Sequence, residues 1–360
     1  MASNYKKLGE YISEVDKRNS DLSLGEDDLF GISVSKEFIT THANLVGVSF
    51  DNYKVVNNRN FAYISDTSRR GDKIAISLND KNKNIIVSSI CTVFQINDET
   101  KLLPEYLMLW FMRPEFDRYA RFMSNGSARE IFDWECMCGV ELPVPSIENQ
   151  RKIVHDYKVI TDRIELLRRI NENLDSICKT EFKKMIENSK CEKKLLCSLS
   201  NVVYGKGLLT TELTDEGYPV YGGNGIIGKY SKYLYDKRMV IISCRGAASG
   251  KVMYSEAFSF ITSNSLVLEI NNSKDYPFEF MLFSCYQTDF ISKVSGSAQP
   301  QLTVDNLKDV EINIPSNDNI QKFSEFANKC IEQIYLNNKE IDNMEKMQTL
   351  ILSKLSKEVA

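Results

Sequence analysis

The chain has little with which to do chemistry unaided. It has only two histidines, His42 and His155, and its nine cysteines include no C-x-x-C pair; Cys136 and Cys138 are the one close pair. That donor set argues against a structural metal site, and the odd number of thiols reads as reduced cysteines in an intracellular protein. Neither histidine accompanies a serine or cysteine nucleophile motif, and Walker A, G-x-S-x-G and H-E-x-x-H are all absent. No apolar run approaches the ~20 residues that span a bilayer. The opening MASNYKKLGEYISEVDK lacks the apolar stretch of a signal peptide, so a cytoplasmic location with no membrane is expected. Positive charge is also scarce: the net charge is −4 and the isoelectric point about 5.6. This excludes a protein that coats nucleic acid by bulk charge, while local basic patches stay open.

What is present is organised around residues 139–188, which read as a short strand, a Pro-bracketed turn and one very long helix. Pro143 and Pro145 disfavour helix at the residues before them, Ser146 can cap the long helix, and Glu148 suits its positive end. From Tyr157 the seam runs Ile160, Ile164, Leu167, Asn171, Leu174 and Cys178, in alternating steps of three and four as a coiled coil requires. At ~1.5 Å per residue such a helix is on the order of 60 Å long and needs a partner.

The partner is in the same chain. VEINIPSNDNIQKFS at residues 310–324 matches VELPVPSIENQRKIV at residues 140–154, displaced by 170 positions. At that displacement Gly126-Ser127-Ala128 falls on Gly296-Ser297-Ala298, and the seam falls on Ala327, Cys330, Ile334, Asn337, Ile341, Met344 and Gln348, continued by Ile351 and Leu355. Residues 86–97 match 260–271, and residues 104–116 match 278–290, at a displacement of 174. The chain is a tandem duplication, and 360 residues with 42% hydrophobic content suffice for two cores. The expected division is 1–145, 146–190, 191–315 and 316–360: a domain, a long helix, a second domain and a second long helix.

Each domain reads as short strands between turns. In the first these are residues 30–34, 45–50, 53–56, 61–64, 73–78 and one strand over 85–96, with an amphipathic helix over 104–116. The opening KKLGEYISEVDKRN is echoed by KLLCSLS at residues 194–200. In the second domain YPVYGGNGIIGKYSKY and MVIISCRGAASGKVMY are each a strand with a Gly-rich loop, and the first domain has Arg69-Arg70-Gly71-Asp72-Lys73 in roughly the latter's place. The letters Gly223-Asn-Gly225-Ile-Ile-Gly228 fit a dinucleotide fingerprint. They lead into a poor helix start, with Arg245 and Gly246 near the position that needs an acid, so a glycine-permitted hairpin is the better reading.

Basic and amide side chains in polar loops are the stronger candidates, because Arg and Lys hold phosphates while Arg, Asn and Gln read base edges. They are Arg59, Arg69, Arg70, Lys73 and Arg129 in the first domain, and Lys206, Asn224, Lys229, Lys232, Arg245, Lys251, Gln299 and Gln301 in the second.

With these residues in view the chain resembles the specificity (S) subunit of a Type I restriction-modification system. The resemblance rests on YPVYGGNGIIGKY with IISCRGAASGKVMY, on the paired GSAREIFDWECMCGVELPVPSIENQRKIV and GSAQPQLTVDNLKDVEINIPSNDNIQKF, and on the two long helices, covering nearly the whole chain. The second copy departs at Asn313, where the first has Pro143, and at Ile320, where the first has Gln150, the residue usual in the family. The resemblance implies an α+β fold: two tandemly duplicated, mainly-β target recognition domains, each followed by a long helix, the helices pairing as an antiparallel coiled coil. It implies a non-catalytic subunit whose domains each read half of a bipartite, asymmetric site in double-stranded DNA. Two methyltransferase (M) subunits dock on the helices and bring S-adenosylmethionine, which this chain does not itself bind; restriction (R) subunits are a further partner the family allows. Two other readings fit the residues: the recognition part of a self-contained restriction and methylation enzyme, and a coiled-coil scaffold that binds no DNA.

Overall fold

The computed structural model describes residues 5–41, 45, 47–68, 70–71, 73–125, 130–296 and 299–356. The chain divides into two compact units, Met1–Leu166 with Glu340–Ala360, and Leu167–Lys339.

Unit 1 contains, in order, β1 (Tyr5–Lys7), β2 (Ile12–Glu14), β3 (Phe30–Ile32), β4 (Phe38–Thr40), β5 (Lys54–Val56), β6 (Phe61–Ile64), β7 (Ala75–Leu78), β8 (Ile85–Val87), β9 (Thr92–Ile96), α1 (Pro104–Phe111), α2 (Pro114–Met123), α3 (Trp134–Cys138), β10 (Glu141–Pro143) and the first part of α4 (Ile147–Glu187). Its main sheet has the order β2-β9-β6-β7. Phe61 and Phe94, opposite each other on β6 and β9, stack at 4.8 Å, and α1, apolar on nearly every side, buries Tyr106, Trp110 and Phe111 beneath them.

Three local expectations change. The helix over residues 104–116 is two helices, because Pro114 cannot continue the first and instead starts the second. The strand over 85–96 is broken by a turn in which the Cys91 N–H donates to the Ser88 carbonyl at 3.0 Å. Residues 48–50 are not strand, since Ser49 and Asp51 bond each other and the Tyr53 N–H turns back to the Phe50 carbonyl.

Unit 2 repeats the plan: the rest of α4, then β11 (Glu192–Leu195), α5 (Leu196–Leu199), β12 (Ser200–Tyr204), β13 (Tyr218–Gly222), β14 (Gly225–Tyr230), β15 (Val240–Ser243), β16 (Val252–Tyr254), β17 (Phe260–Ile261), β18 (Ser265–Ile270), α6 (Phe278–Tyr286), β19 (Glu311–Ile314) and most of α7 (Asn317–Lys354), whose last turns belong to unit 1. The main sheet order, β12-β18-β15-β16, is that of unit 1 strand for strand. The smaller sheets differ. In unit 1 β5 and β8 pair antiparallel, whereas in unit 2 β13 pairs parallel with β17 and antiparallel with β14.

The same clasp closes both units. β1 pairs antiparallel with β10 and β11 with β19, and the next residue in each case, Leu8 or Leu196, is fully buried and donates its N–H to Val140 or Val310 at 2.8 Å. A capped helix comes next, with the Ser146 and Ser316 hydroxyls accepting from the N–H groups of Asn149 and Asn319 at 3.4 Å. The departure at Gln150 has a physical cause. Gln150 is fully buried, donates to the carbonyls of Lys101 and Pro145 at 2.8 and 2.9 Å, and accepts from the Leu103 N–H at 2.9 Å. In the second copy the residue matching Leu103 is Pro277, which has no N–H to satisfy. Ile320 is therefore tolerated, and Gln321 reaches the matching loop by donating to the Lys274 carbonyl at 2.8 Å.

Within each unit the two helix segments run antiparallel. In unit 1 Arg163 bonds Glu340 at 3.0 Å, Gln348 donates to Thr161 at 2.7 Å, and Leu355 is buried beside Ile153 and Tyr157. In unit 2 Phe182 meets Phe323 edge-on at 5.0 Å, and the Asn319 amide donates to Ser189 at 2.9 Å. Of the seam residues, Ile164, Leu167 and Ile341 are buried, and Ile160, Leu174, Ile334, Met344 and Ile351 are half-buried. The seam of unit 2 carries a polar layer: Asn337 donates to Asn171 at 2.7 Å, Asn171 to Asn338 at 2.9 Å and Gln333 to Asn337 at 2.8 Å. One heptad along, the Cys178 thiol is pushed up to about 12, first by burial and then by Cys330 beside it. All nine cysteines are free.

An amide pair in an apolar seam favours one register at some cost in stability. Asn337→Leu alone should destabilise the protein by about 1 to 2 kcal/mol, because Asn171 loses its buried partner, and adding Asn171→Leu should recover most of that loss. Denaturant unfolding of the two single variants and the double variant measures the coupling; additive losses would mean the pair does not act as a unit.

Candidate nucleic-acid interface

In unit 2 the sheet ends in two loops that are tied together by backbone. Arg245 and Gln301 form an antiparallel bridge, as do Ser295 and Gln301, which close the loop that contains Gln299. The Gly246 N–H donates to the Pro300 carbonyl and the Leu302 N–H to the Cys244 carbonyl, both at 3.0 Å, while Ser249 donates to the carbonyls of Gly246 and Pro300. The turn between β13 and β14 packs beside them. A Cβ on Gly223 would lie 3.1 Å from the Ser243 hydroxyl and 3.7 Å from the Arg245 carbonyl, so glycine lets the turn pack closely there. Lys251 donates to the Asn224 side chain at 2.7 Å. Lys206 joins from below, its carbonyl accepting from the Ser263 N–H at 3.0 Å next to Asn264, whose own carbonyl accepts from Cys244. Burial pushes the Cys244 thiol up, with Arg245 opposing the shift, so the thiol is packing rather than chemistry.

Lys206, Asn224, Arg245, Lys251, Gln299 and Gln301 thus come together at one end of the sheet, and all but the half-buried Gln301 are exposed. Lys229 and Lys232 do not join them. They lie in and just past β14, toward the end of the hairpin away from Asn224, near the exposed Tyr218, Tyr233 and Phe258. The stretch from Gly223 to Gly228 is a hairpin that opens no helix, which removes the dinucleotide reading.

Unit 1 makes the same two-loop frame with other side chains. Asp66 and Asn125 both bridge to Ile131, the Thr67 N–H donates to the Glu130 carbonyl at 3.2 Å, and the Phe132 N–H donates to the Ser65 carbonyl at 2.8 Å. Bond for bond, residues 65–67 stand where residues 244–246 stand, displaced by 179, and residues 125 and 130–132 stand where 295 and 300–302 stand, displaced by 170. The equivalence places Gly71 on Gly250, both with positive φ, +67° and +88°. It also places Asp66 on Arg245, Ile131 on Gln301 and Glu130 on Pro300.

Arg70 and Lys73 belong to this loop, half-buried and exposed respectively; Arg69 and Arg129 lie outside the described residues, as do His42, residues 126–128 and residues 297–298. Arg59 is elsewhere. It precedes β6, at the end away from Asp66, and its guanidinium is clamped by Glu99 and Glu105 at 2.6 Å each, which holds it charged. Its counterpart is Arg238 before β15, held by Glu332 at 2.8 Å. Both arginines secure the base of a sheet. Asp66 and Ile131 were not among the sequence candidates, although the displacement that pairs the Gly-Ser-Ala runs already sets Ile131 against Gln301. Among the described residues no group of three or more His, Cys, Asp or Glu could hold a metal ion, and no helix is long and apolar enough to cross a membrane.

The architecture is an α+β fold of two matching units, each with a mixed set of small sheets and a share of two long helices. A crystal structure of a Type I restriction-modification system S subunit from M. genitalium has the same fold, with a TM-score of 0.65 at 18% identity over 98% of this chain and 95% of that one. Residues 188–346 match the family model of the Type I restriction modification DNA specificity domain. The chain is 23% identical over 296 residues to the Type I restriction enzyme MjaIX specificity subunit of Methanocaldococcus jannaschii, covering 71% of this chain and 68% of that one. It is 30% identical over 100 residues to the Type I restriction enzyme EcoprrI specificity subunit of Escherichia coli, covering 28% and 24%. The resemblance carried by the paired motifs holds.

The equivalent glycines differ in one respect. A Cβ on Gly71 meets nothing within 4 Å, whereas one on Gly250 lies 3.0 Å from the Ile291 nitrogen. Gly71→Ala should cost about 1 to 2 kcal/mol for the left-handed backbone alone, and Gly250→Ala more, as read by thermal unfolding. Equal losses would argue against the close packing of the Gly250 loop.

Proposed function

We propose that the chain is the DNA-reading, non-catalytic subunit of a Type I restriction-modification complex. Each unit contacts one half of a bipartite, asymmetric site, and the long helices dock two methyltransferase subunits that carry S-adenosylmethionine. The observation that carries this reading is one loop frame held by the same backbone bonds in both units and furnished with different side chains. A common frame presents similar faces to the duplex, and different side chains make the half-sites differ in sequence. The net charge of −4 is compatible with this role, since partner subunits closing around DNA supply part of the phosphate contact.

Docking on the helices is supported by apolar residues off the seam. In unit 1 Val159, Leu166, Met347 and Leu350 are 49–59% exposed, and in unit 2 Ile177, Phe326 and Leu336 are exposed on the same two helices. Exposed apolar side chains repeated along paired helices are what an added helical partner would cover. Restriction subunits would join through the methyltransferase assembly.

Exchanging residues 203–258 for those of a relative with a different site should change one half-site only, read by sequencing of methylated DNA; a change in both halves would undo the division of labour. Inserting one heptad into each long helix should widen the gap between half-sites by about 3 base pairs, from ~1.5 Å per helical residue and ~3.4 Å per base step. An unchanged gap would rule out the helices as a spacer. Methylation or cleavage of DNA by the purified chain alone would favour the self-contained enzyme instead.

A further inference from the structure

Arg245 is delivered by β15 to a point where the backbone is held from both sides. The Cys244 carbonyl accepts from Leu302 and the Gly246 N–H donates to Pro300, so the bridge between Arg245 and Gln301 has no freedom to slip. Residues opposite each other in an antiparallel pair project to the same face with Cβ atoms ~5 Å apart. A guanidinium and a carboxamide therefore stand side by side at the end of the sheet. Arg245 is exposed and makes no ion pair with any described residue, unlike Arg59 and Arg238, whose guanidinium groups are occupied by carboxylates. Of the side chains at this end, Asn224 is already engaged by Lys251.

These two groups have distinct partners on a base pair. Arginine donates in bidentate fashion to O6 and N7 of guanine, and glutamine bonds N6 and N7 of adenine. In unit 1 the same frame holds Asp66 and Ile131. Asp66 accepts from the Ser68 hydroxyl at 3.3 Å, and Ile131 is 40% exposed. A carboxylate has no donor for guanine, and an isoleucine offers only an apolar contact of the kind a thymine methyl group takes.

Resting on the reading of the chain as a specificity subunit, we propose that Arg245 is the guanine-reading residue of the half-site contacted by unit 2, with Gln301 on a neighbouring adenine. The equivalent position in unit 1 reads no guanine, and Ile131 contacts a thymine methyl group there. The pair at 245 and 301, against 66 and 131, is one place where the duplicated frame has been given two specificities.

The test uses the complete complex with its methyltransferase subunits and modified-base sequencing of DNA from cells that express it. The expected result for Arg245→Ala is that one guanine in one half-site becomes degenerate, its discrimination falling about tenfold to a hundredfold, while the other half-site is unchanged. Arg245→Lys should keep a weakened guanine preference. Ile131→Gln, a change at an exposed side chain, should alter one position of the other half-site from thymine toward adenine. An unaltered motif in Arg245→Ala, or a uniform fall in methylation across all sites, would overturn the proposal, the latter by making Arg245 a phosphate contact. Absence of any sequence-specific methylation by the unsubstituted complex would instead bring down the underlying reading and the proposal with it.

Discussion

Each unit depends on one short antiparallel strand pair that ties its first strand to the turn launching a long helix. The pairs β1–β10 and β11–β19 fix where the helix begins, and the buried Leu8 and Leu196 seal them from beneath through the same bond to Val140 and Val310. Because the clasp joins the first strand of a unit to its last, loops between those strands can change without releasing the helix. The divergence of the smaller sheets, antiparallel in one unit and partly parallel in the other, is the kind of change such a clasp permits.

The same economy governs the loop frames. Backbone bonds hold the frame, so its spacing does not depend on the side chains at 66 and 131, or 245 and 301, whereas Arg59 and Arg238 work through their guanidinium groups. Buried backbone groups must be paired whatever the side chains do. A recognition surface built on main-chain pairing can therefore vary its chemistry at little cost to the fold. Gln150 shows the opposite case, a side chain that itself satisfies the backbone, and it is replaced only where Pro277 has removed the N–H it served.

Much of this was legible in the sequence because duplication makes a chain its own comparison. The displaced Val-Glu and Pro-Ser motifs located the short strand before each turn and both helix starts, though not the strands that pair with them, and the alternating steps of three and four located a seam whose residues are buried or half-buried. Local breaks were less legible. Pro114 at the junction of two apolar helices was read through as one helix, and the turn at Ser88 was hidden in a β-rich run. Arg59 looked like a loop arginine because Glu99 and Glu105 reach it only after folding. The counterpart of Arg245 was hidden for a different reason: the displacement is 179 there and 170 or 174 elsewhere, so unequal loops blur the alignment where the two copies diverge most.

The central claim is that this chain gives a methylating complex its sequence choice. The most direct measurement is modified-base sequencing of DNA from a host with and without the gene. The account predicts a bipartite motif with unlike halves that is methylated only when the chain is present. Methylation at the same sites in both hosts, or a motif with a single undivided element, would contradict it.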